Sequence, residues 1–537
     1  VRSWLAKENL FNSSLTLVSA ILIVLSFPPY GVYPLIWFAL VPWLFALNRT
    51  RTLKQAFAQG VLLSFLMTVI GFYWVASVLQ EFAELPMALA VTGLCLFGLF
   101  GQPQFLVFSV VFRYLKNKFG EAPTLARGLA FSLCLAMLYT GIDWMIPKLW
   151  VDTLGHCFWN AERLRQAADI GGAALLTVVV FWVNDSIWNA LRKKSGYFVH
   201  LAISVCLIAA LLIYGEFRKN QIQSIVASAK KHIQIGVIQA NIGDFDKVAA
   251  ENGVQGASLK VLQKFFDMSD KALAMTPKPD ALVWPETSYP TTFGTPATLN
   301  EVALDESVRN YAISRKTSLL FGGYDHREGK DYNAFFFLAP RASGSEPTEL
   351  QIYRKNILLL FGEYIPLSDY ITYLRTAFPQ VGNFGRGVGP EVLKIYPSDS
   401  KEAPVLAGPI ICYEALFPSY IIGAARMGSQ MILNITNDSW FGPYGEPILH
   451  FSLVTFRGIE TRLPQVRSTN TGISALILPD GTIQSRTAIG GEEIMNLTVP
   501  ITERIPTLMK YWGDWFGPFC FVIGLILATL LVARKKS

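Results

Sequence analysis

Charge is scarce in this sequence. Asp, Glu, Lys and Arg make up only 16% of 537 residues, against about 25% in ordinary soluble domains. With 52% hydrophobic residues and a mean hydropathy of +0.36, a wholly solvated chain is excluded, and a membrane part with a soluble part is expected. Paired soluble cysteines are missing too. Cys95, Cys134, Cys206 and Cys520 sit inside apolar runs, where they pack as small hydrophobes. Cys157 lies in a loop and Cys412 stands alone in a long polar region, so there is no disulfide framework. No small-residue cleavage site follows the first apolar run near 13–27; Pro28-Pro29-Tyr30-Gly31 does, and the run reads as a retained helix. The net charge of +7 is not accompanied by interleaved basic and aromatic residues, so no nucleic-acid partner is expected. There is no His-Glu-x-x-His, phosphate loop or Gly-x-Ser-x-Gly, and no solenoid period or low-complexity linker.

Apolar segments are abundant. Seven candidate spans precede residue 218, at 11–27, 31–47, 56–79, 86–112, 125–146, 170–191 and 198–215, and an eighth covers 514–533. Most approach the roughly 20 apolar residues a bilayer requires; the second is short and interrupted by Pro42. Basic residues recur in every second loop: Arg2 and Lys7, then Arg49, Arg51 and Lys54, then Arg113, Lys116, Lys118 and Arg127, then Arg192, Lys193 and Lys194, and finally Arg534, Lys535 and Lys536. The loop after span three carries Glu81 and Glu84 instead. This alternation predicts cytoplasmic termini and places the region after span seven outside the cytoplasm. Lys148, Arg163 and Arg165 break the pattern.

That region has ordinary globular composition. Short apolar runs bounded by polar, Gly or Pro residues predict strands at 233–238, 281–284, 318–321, 334–338, 405–407, 409–411 and 431–435, with helices at 256–276 and 299–315. The alternation points to an α/β or α+β domain. The expected division is 1–218 for seven membrane helices, 219–508 for the soluble domain, and 509–537 for the last span and tail.

Three residues carry plausible chemistry. Cys412 ends a buried-looking strand in Gly408-Pro-Ile-Ile-Cys412-Tyr413-Glu414, where a side chain meets a crevice on a rigid scaffold; the bland alternative is a structural thiol. Glu286 ends another strand in Trp284-Pro-Glu286 and suits a general base, or equally a turn residue. Lys355, in Tyr353-Arg-Lys355, suits an oxyanion partner, or a solvated surface lysine. A thiol has an ordinary pKa of about 8.5, so a neighbouring ammonium and a carboxylate would together activate it.

At these residues the chain resembles the apolipoprotein N-acyltransferases, nitrilase-superfamily enzymes fused to membrane helices. The resemblance rests on Val283-Trp-Pro-Glu286-Thr, Tyr353-Arg-Lys355, Phe361-Gly-Glu363-Tyr-Ile-Pro366, Ile411-Cys412-Tyr-Glu414, Thr436-Asn-Asp438-Ser-Trp440-Phe-Gly442 and Arg467-Ser-Thr-Asn470-Thr-Gly472. Gln239-Ala-Asn241-Ile242, Tyr332-Asn333, Pro28-Pro-Tyr-Gly31 and Tyr73-Trp74-Val-Ala-Ser77 also match. The resemblance implies an α/β fold, an αββα nitrilase-like sandwich inserted before the last helix of an eight-helix transmembrane domain. It implies Cys412 as nucleophile, Glu286 as general base, Lys355 as oxyanion stabiliser and Glu363 as a second carboxylate beside Lys355. Tyr413 and Glu414 would shape the pocket, with a structural salt bridge as the other role open to Glu363 and Glu414. Trp440 and Phe441 would line an acyl or headgroup pocket, or simply pack in the core. The implied reaction moves an acyl chain from a phospholipid, phosphatidylethanolamine, through a cysteine thioester to the amine of a diacylglyceryl-cysteine lipoprotein. No metal or other cofactor is expected. The implied setting is a monomer in the bacterial inner membrane with its catalytic domain in the periplasm. A membrane-anchored amidase would use the same three residues. Between Lys355 and Phe361 the chain departs from the family, reading Asn356-Ile-Leu-Leu-Leu360 where a basic residue or His precedes Leu-Val-Pro.

Overall fold

The computed structural model describes residues 2–81, 84–120, 124–243, 249–251, 256–340, 348–368, 370–377, 381–397, 402–443 and 445–533. The charges at Arg534, Lys535 and Lys536 lie outside them, as do the side chains of Arg2 and Lys7. The chain forms two compact units: one of 1–220, 448–456 and 511–537, the other of 221–447 and 457–510.

The first unit is helical, with α1 (Arg2–Ser26), α2 (Val41–Arg49), α3 (Leu53–Gly71), α4 (Trp74–Glu81), α5 (Met87–Gly98), α6 (Pro103–Phe119), α7 (Leu125–Met145), α8 (Ala168–Leu191) and the start of α9 (Tyr197–Ala227). Among the described residues seven helical stretches are long and apolar enough to cross a membrane, not eight. The span expected at 31–47 is a 3-10 turn, Tyr33–Trp37, followed by the nine-residue α2. Pro34 and Pro42 are the cause: each lacks the N–H that a helix interior needs, and each sits in the first turn of its short helix. The run at 56–79 likewise breaks at Phe72, between α3 and α4. The unit's interior is aromatic. Phe108, Tyr139 and Phe181, from α6, α7 and α8, pack with ring centroids 5.0–5.3 Å apart, where edge and offset contacts are favourable. Two of the basic residues that broke the loop pattern have carboxylate partners: Lys148 bonds Asp143 at 2.7 Å and Arg163 bonds Glu216 at 2.6 Å. The third, Arg165, is buried.

The second unit is α/β. Its first sheet runs β12-β1-β2-β3-β4-β5 and its second β11-β10-β9-β8-β7-β6. In chain order the strands are β1 (Lys231–Gln239), β2 (Ala281–Val283), β3 (Ser318–Arg327), β4 (Lys330–Ala339), β5 (Glu349–Arg354), β6 (Leu393–Ile395), β7 (Val405–Ile411), β8 (Met431–Thr436), β9 (Gln465–Thr469), β10 (Ala475–Ile477), β11 (Ile483–Arg486) and β12 (Glu493–Ile501). Both sheets are mixed: β1, β2 and β3 are parallel, as are β7, β8 and β9, while the flanking strands are antiparallel. Helices α10 (Ala257–Leu273) and α11 (Leu299–Arg315) cover the first sheet, and α12 (Pro418–Arg426) packs on β7 of the second. The sheets meet face to face, giving αββα layers. Strands covered on both sides need continuous rather than alternating burial. Ala334-Phe-Phe-Phe-Leu338 meets that need with five buried residues. Helix α11 starts where Thr298 accepts from the Glu301 N–H at 3.3 Å. The helix Phe516–Ala533 closes the chain's described part.

Several elements differ from expectation. The runs 405–407 and 409–411 are one strand, β7, because Pro409 is tolerated within it. Strands β5, β6, β9, β10, β11 and β12 follow no apolar run that predicted them. Strand β9 shows why: Gln465-Val-Arg-Ser-Thr469 is polar in sequence yet wholly buried.

Candidate active site

Each candidate reactive residue sits just past a strand in the second unit. Glu286 follows β2 through Trp284 and Pro285. The Trp284 ring stacks on Phe265 with centroids 5.0 Å apart, and its indole N–H donates to Ser269 at 2.9 Å. The carbonyl of Pro285 accepts from the Gly322 N–H at 3.2 Å. A Cβ on Gly322 would lie 2.6 Å from the Cα of Glu286, so glycine in β3 is what admits the Glu286 backbone here.

Lys355 directly follows β5. Its N–H donates to the Asn333 carbonyl at 2.8 Å, and its carbonyl accepts from the Gly387 N–H at 2.9 Å. A Cβ on Gly387 would lie 2.1 Å from the Arg354 carbonyl oxygen, so the 381–387 segment can cross this loop only with glycine there.

Cys412 directly follows β7 and opens a 3-10 turn, Cys412–Leu416. Its φ is +51°, a left-handed conformation that costs a side-chain-bearing residue of order 1–3 kcal/mol and clusters at functional sites.

The side chains converge. The Lys355 ammonium lies 3.2 Å from Glu286 Oε1 and 2.9 Å from Glu363 Oε1, and it is 1% exposed. Asn333 donates from Nδ2 to both carboxylates, at 2.7 Å to Glu286 and 2.8 Å to Glu363. The other oxygen of Glu286 accepts from the Asn437 backbone N–H at 2.8 Å, and that of Glu363 from the Leu359 N–H at 2.8 Å. Burial works against the Lys355 ammonium, but Glu286, Glu363 and Cys412 outweigh it and hold the pKa well above the lysine range. Burial pushes the Cys412 thiol well above its ordinary value; Glu286 and Asp438 add to the rise, while Lys355 and a hydrogen bond with Thr436 oppose it. Burial thus favours the neutral thiol, and the charges of Lys355 and Glu286 act on it in opposite directions.

Glu414 is buried and joins the loops. Oε1 accepts from the N–H groups of Asn356 and Ile357 at 2.7 and 3.1 Å, Oε2 from the Ile411 N–H at 2.9 Å and the Tyr353 hydroxyl at 2.7 Å. It thus ties the backbone after Lys355 to the backbone before Cys412. Burial pushes its pKa up to about 7 against the pull of those bonds. Tyr413 is buried edge-to-face on Phe417, 5.2 Å away. Trp440 and Phe441 are half-buried on the 3-10 turn Ser439–Phe441 past β8, which is not a core position.

Several contributors carried no assigned role in the sequence reading. Asn333 stood in a matching motif, but its polarity at the head of an apolar strand gives no hint of two carboxylate partners. The Asn437 N–H is a backbone donor, invisible in sequence. Asp438 pairs with Arg467 at 3.0 Å with both side chains fully buried, and Arg467 also donates to Asn434 at 2.8 Å. Asn470 holds Asn437 at 3.2 Å and both backbone polar groups of Ile242, at 2.8 and 2.9 Å.

Two mixed six-stranded sheets with this cluster past their strand ends define a carbon–nitrogen hydrolase domain, and residues 234–504 match the carbon–nitrogen hydrolase family. Residues 19–185 match the apolipoprotein N-acyltransferase N-terminal domain. The chain is 31% identical to the apolipoprotein N-acyltransferase of Bdellovibrio bacteriovorus over 541 residues, covering 98% of this chain and 94% of that one. It is 26% identical to the corresponding protein of Geobacter metallireducens over 536 residues, covering 97% and 95%. An amidase structure from Nesterenkonia aligns with a TM-score of 0.35 and 15% identity over 50% of this chain and 90% of that one. The chain belongs to the apolipoprotein N-acyltransferase family.

Proposed function

We propose that this protein transfers a fatty acyl chain from a phospholipid, phosphatidylethanolamine, to the N-terminal amine of a diacylglyceryl-cysteine lipoprotein through a thioester on Cys412. The observation that carries the reading is the single hydrogen-bonded cluster of Lys355, Glu286 and Glu363, of which Lys355 and Glu286 act on the charge of the Cys412 thiol. The names of the relatives and the seven apolar helices support lipid and lipoprotein substrates. We place the chain in a bacterial inner membrane with residues 219–508 as a periplasmic catalytic domain, on the loop charges and the relatives' origin.

The chemistry follows from the protonation states. A thiol held neutral by burial needs a base, and Glu286 takes its proton as sulfur attacks the ester carbonyl. Lys355 stays an ammonium and stabilises the oxyanion of the tetrahedral intermediate. Collapse breaks the ester C–O bond. Glu286 returns the proton to the leaving lysophospholipid oxygen, and the acyl group remains on sulfur. The lipoprotein amine then attacks the thioester and gives its proton to Glu286. The C–S bond breaks, the amide forms, and the sulfur regains a proton. Glu363 fixes Lys355, and Glu414 fixes the loops on which Lys355 and Cys412 stand.

Incubation with acyl-labelled phosphatidylethanolamine tests the reading. Wild-type protein should carry a hydroxylamine-sensitive label, Cys412→Ala none, and Cys157→Ala as much as wild type. Label that persists in Cys412→Ala refutes the assignment. Label that leaves only as free fatty acid when the lipoprotein acceptor is present makes the protein a hydrolase instead.

A further inference from the structure

Asn333, on β4, is 4% exposed, and its amide oxygen is buried without a hydrogen-bond partner among the described residues. Carboxylates only accept, so Nδ2 must face Glu286 and Glu363, and that choice strands Oδ1. A buried unsatisfied acceptor is unfavourable, which calls for a gain at the other end of the amide. The gain is visible in the geometry. Glu286 Oε1 and Glu363 Oε1 each accept from both Lys355 Nζ, at 3.2 and 2.9 Å, and Asn333 Nδ2, at 2.7 and 2.8 Å. Two donors and two acceptors close a square in which only one donor is charged.

We propose that Asn333 is a positioning residue that lets two carboxylates share one ammonium, holding Glu286 ionised and aimed as the base. The inference rests on Glu286 acting as proposed above. Without the amide, the square keeps two negative corners and one positive one, and like charges this close disfavour ionisation of both. The other groups facing the cluster do not replace it. Cys412 past β7 and Asp438 past β8 bring no positive charge. Tyr324 on β3, beside Asn333 in the strand register, donates instead to Glu251 at 2.9 Å.

The test is the pH dependence of Cys412 labelling by acyl-labelled phosphatidylethanolamine in full-length protein. In Asn333→Ala the acid-side midpoint of the initial rate should rise by about one pH unit, worth about 1.36 kcal/mol. The rate below both midpoints should therefore fall about tenfold, while the alkaline plateau falls by less than about threefold. Asn333→Ser keeps one donor and should shift the same way by less, which serves if the alanine variant does not fold. An unchanged midpoint, with the rate lowered equally at every pH or not at all, overturns the inference while leaving the thioester reading intact. Wild-type protein that never labels overturns both.

Discussion

Replacing Glu414 by alanine removes the acceptor for four donors at once: the N–H groups of Asn356, Ile357 and Ile411 and the Tyr353 hydroxyl. The Tyr353 hydroxyl keeps a partner in the Tyr420 hydroxyl, 2.7 Å away. Each of the three backbone donors left unmatched costs about 1–3 kcal/mol, so at about 1 kcal/mol each the variant loses about 3 kcal/mol at neutral pH. The loss depends on pH, and its sign is fixed. Burial raises the pKa of Glu414 in the folded protein from 4.5 to about 7. A raised folded pKa contributes stability that is fully present below the unfolded value and lost as pH climbs through the folded one. The wild type therefore loses about 2–3 kcal/mol from this group between pH 5 and pH 8, and the variant, lacking the group, does not. The gap between the two should be widest near pH 5 and narrow toward pH 8. Thermal melting of the full-length protein in detergent, at one scan rate and several pH values, reads it directly. For a cooperative unit spanning 221–447 and 457–510, a deficit of about 3 kcal/mol corresponds to a midpoint lowered by about 5 °C. A difference below about 2 °C, or one that widens as pH rises, would refute the reasoning.

Two further outcomes follow from buried charge. Arg467→Met leaves Asp438 buried without its cation and should destabilise the second unit by about 3–5 kcal/mol, with part of the loss recovered in the double variant Arg467→Met, Asp438→Asn; a single variant that melts like wild type contradicts this. The Cys412 thiol, raised first by burial and then by Glu286, should react slowly with iodoacetamide at pH 7 and about tenfold faster per pH unit above it. Glu286→Gln should speed that alkylation at a given pH while abolishing acyl labelling. A rate already level below pH 8, or alkylation slowed by the substitution, would count against the electrostatic account.

What the sequence made legible tracks how each element earns its burial. The α/β character, helices α10 and α11, and the central strands β1, β2, β3, β4, β7 and β8 announced themselves as apolar runs, because strands covered on both faces must be apolar unless their polar groups find partners. Strand β9 takes the second route. Arg467 is matched by Asp438 and Asn434, and Thr469 by Gln239 at 3.0 Å. Its burial is decided by residues far away in the chain, and no local pattern reports it. The membrane part shows the opposite failure. Residues 31–47 are apolar enough to suggest a span, but hydropathy says nothing of backbone donors, and Pro34 and Pro42 break the segment into a 3-10 turn and a short helix.

The candidate site divides along the same line. Cys412, Glu286, Lys355 and Glu363 could be named because their side-chain chemistry is scarce and they stand at strand ends or in a matching motif. Their supports could not, since the Asn437 N–H, the crossing at Gly387 and the stranded oxygen of Asn333 are properties of the folded chain. These supports bear on function through charge. One ammonium faces two carboxylates and a thiol, so if all ionised the cluster would carry two negative charges in excess. Burial makes such an excess costly. The thiol takes the neutral form, as the weakest acid of the three, and neutral amide and backbone donors steady the carboxylates. On the proposed mechanism the resting cluster keeps a base beside a protonated thiol, so the nucleophile would form only as its proton moves to Glu286, next to the ammonium that would meet the oxyanion.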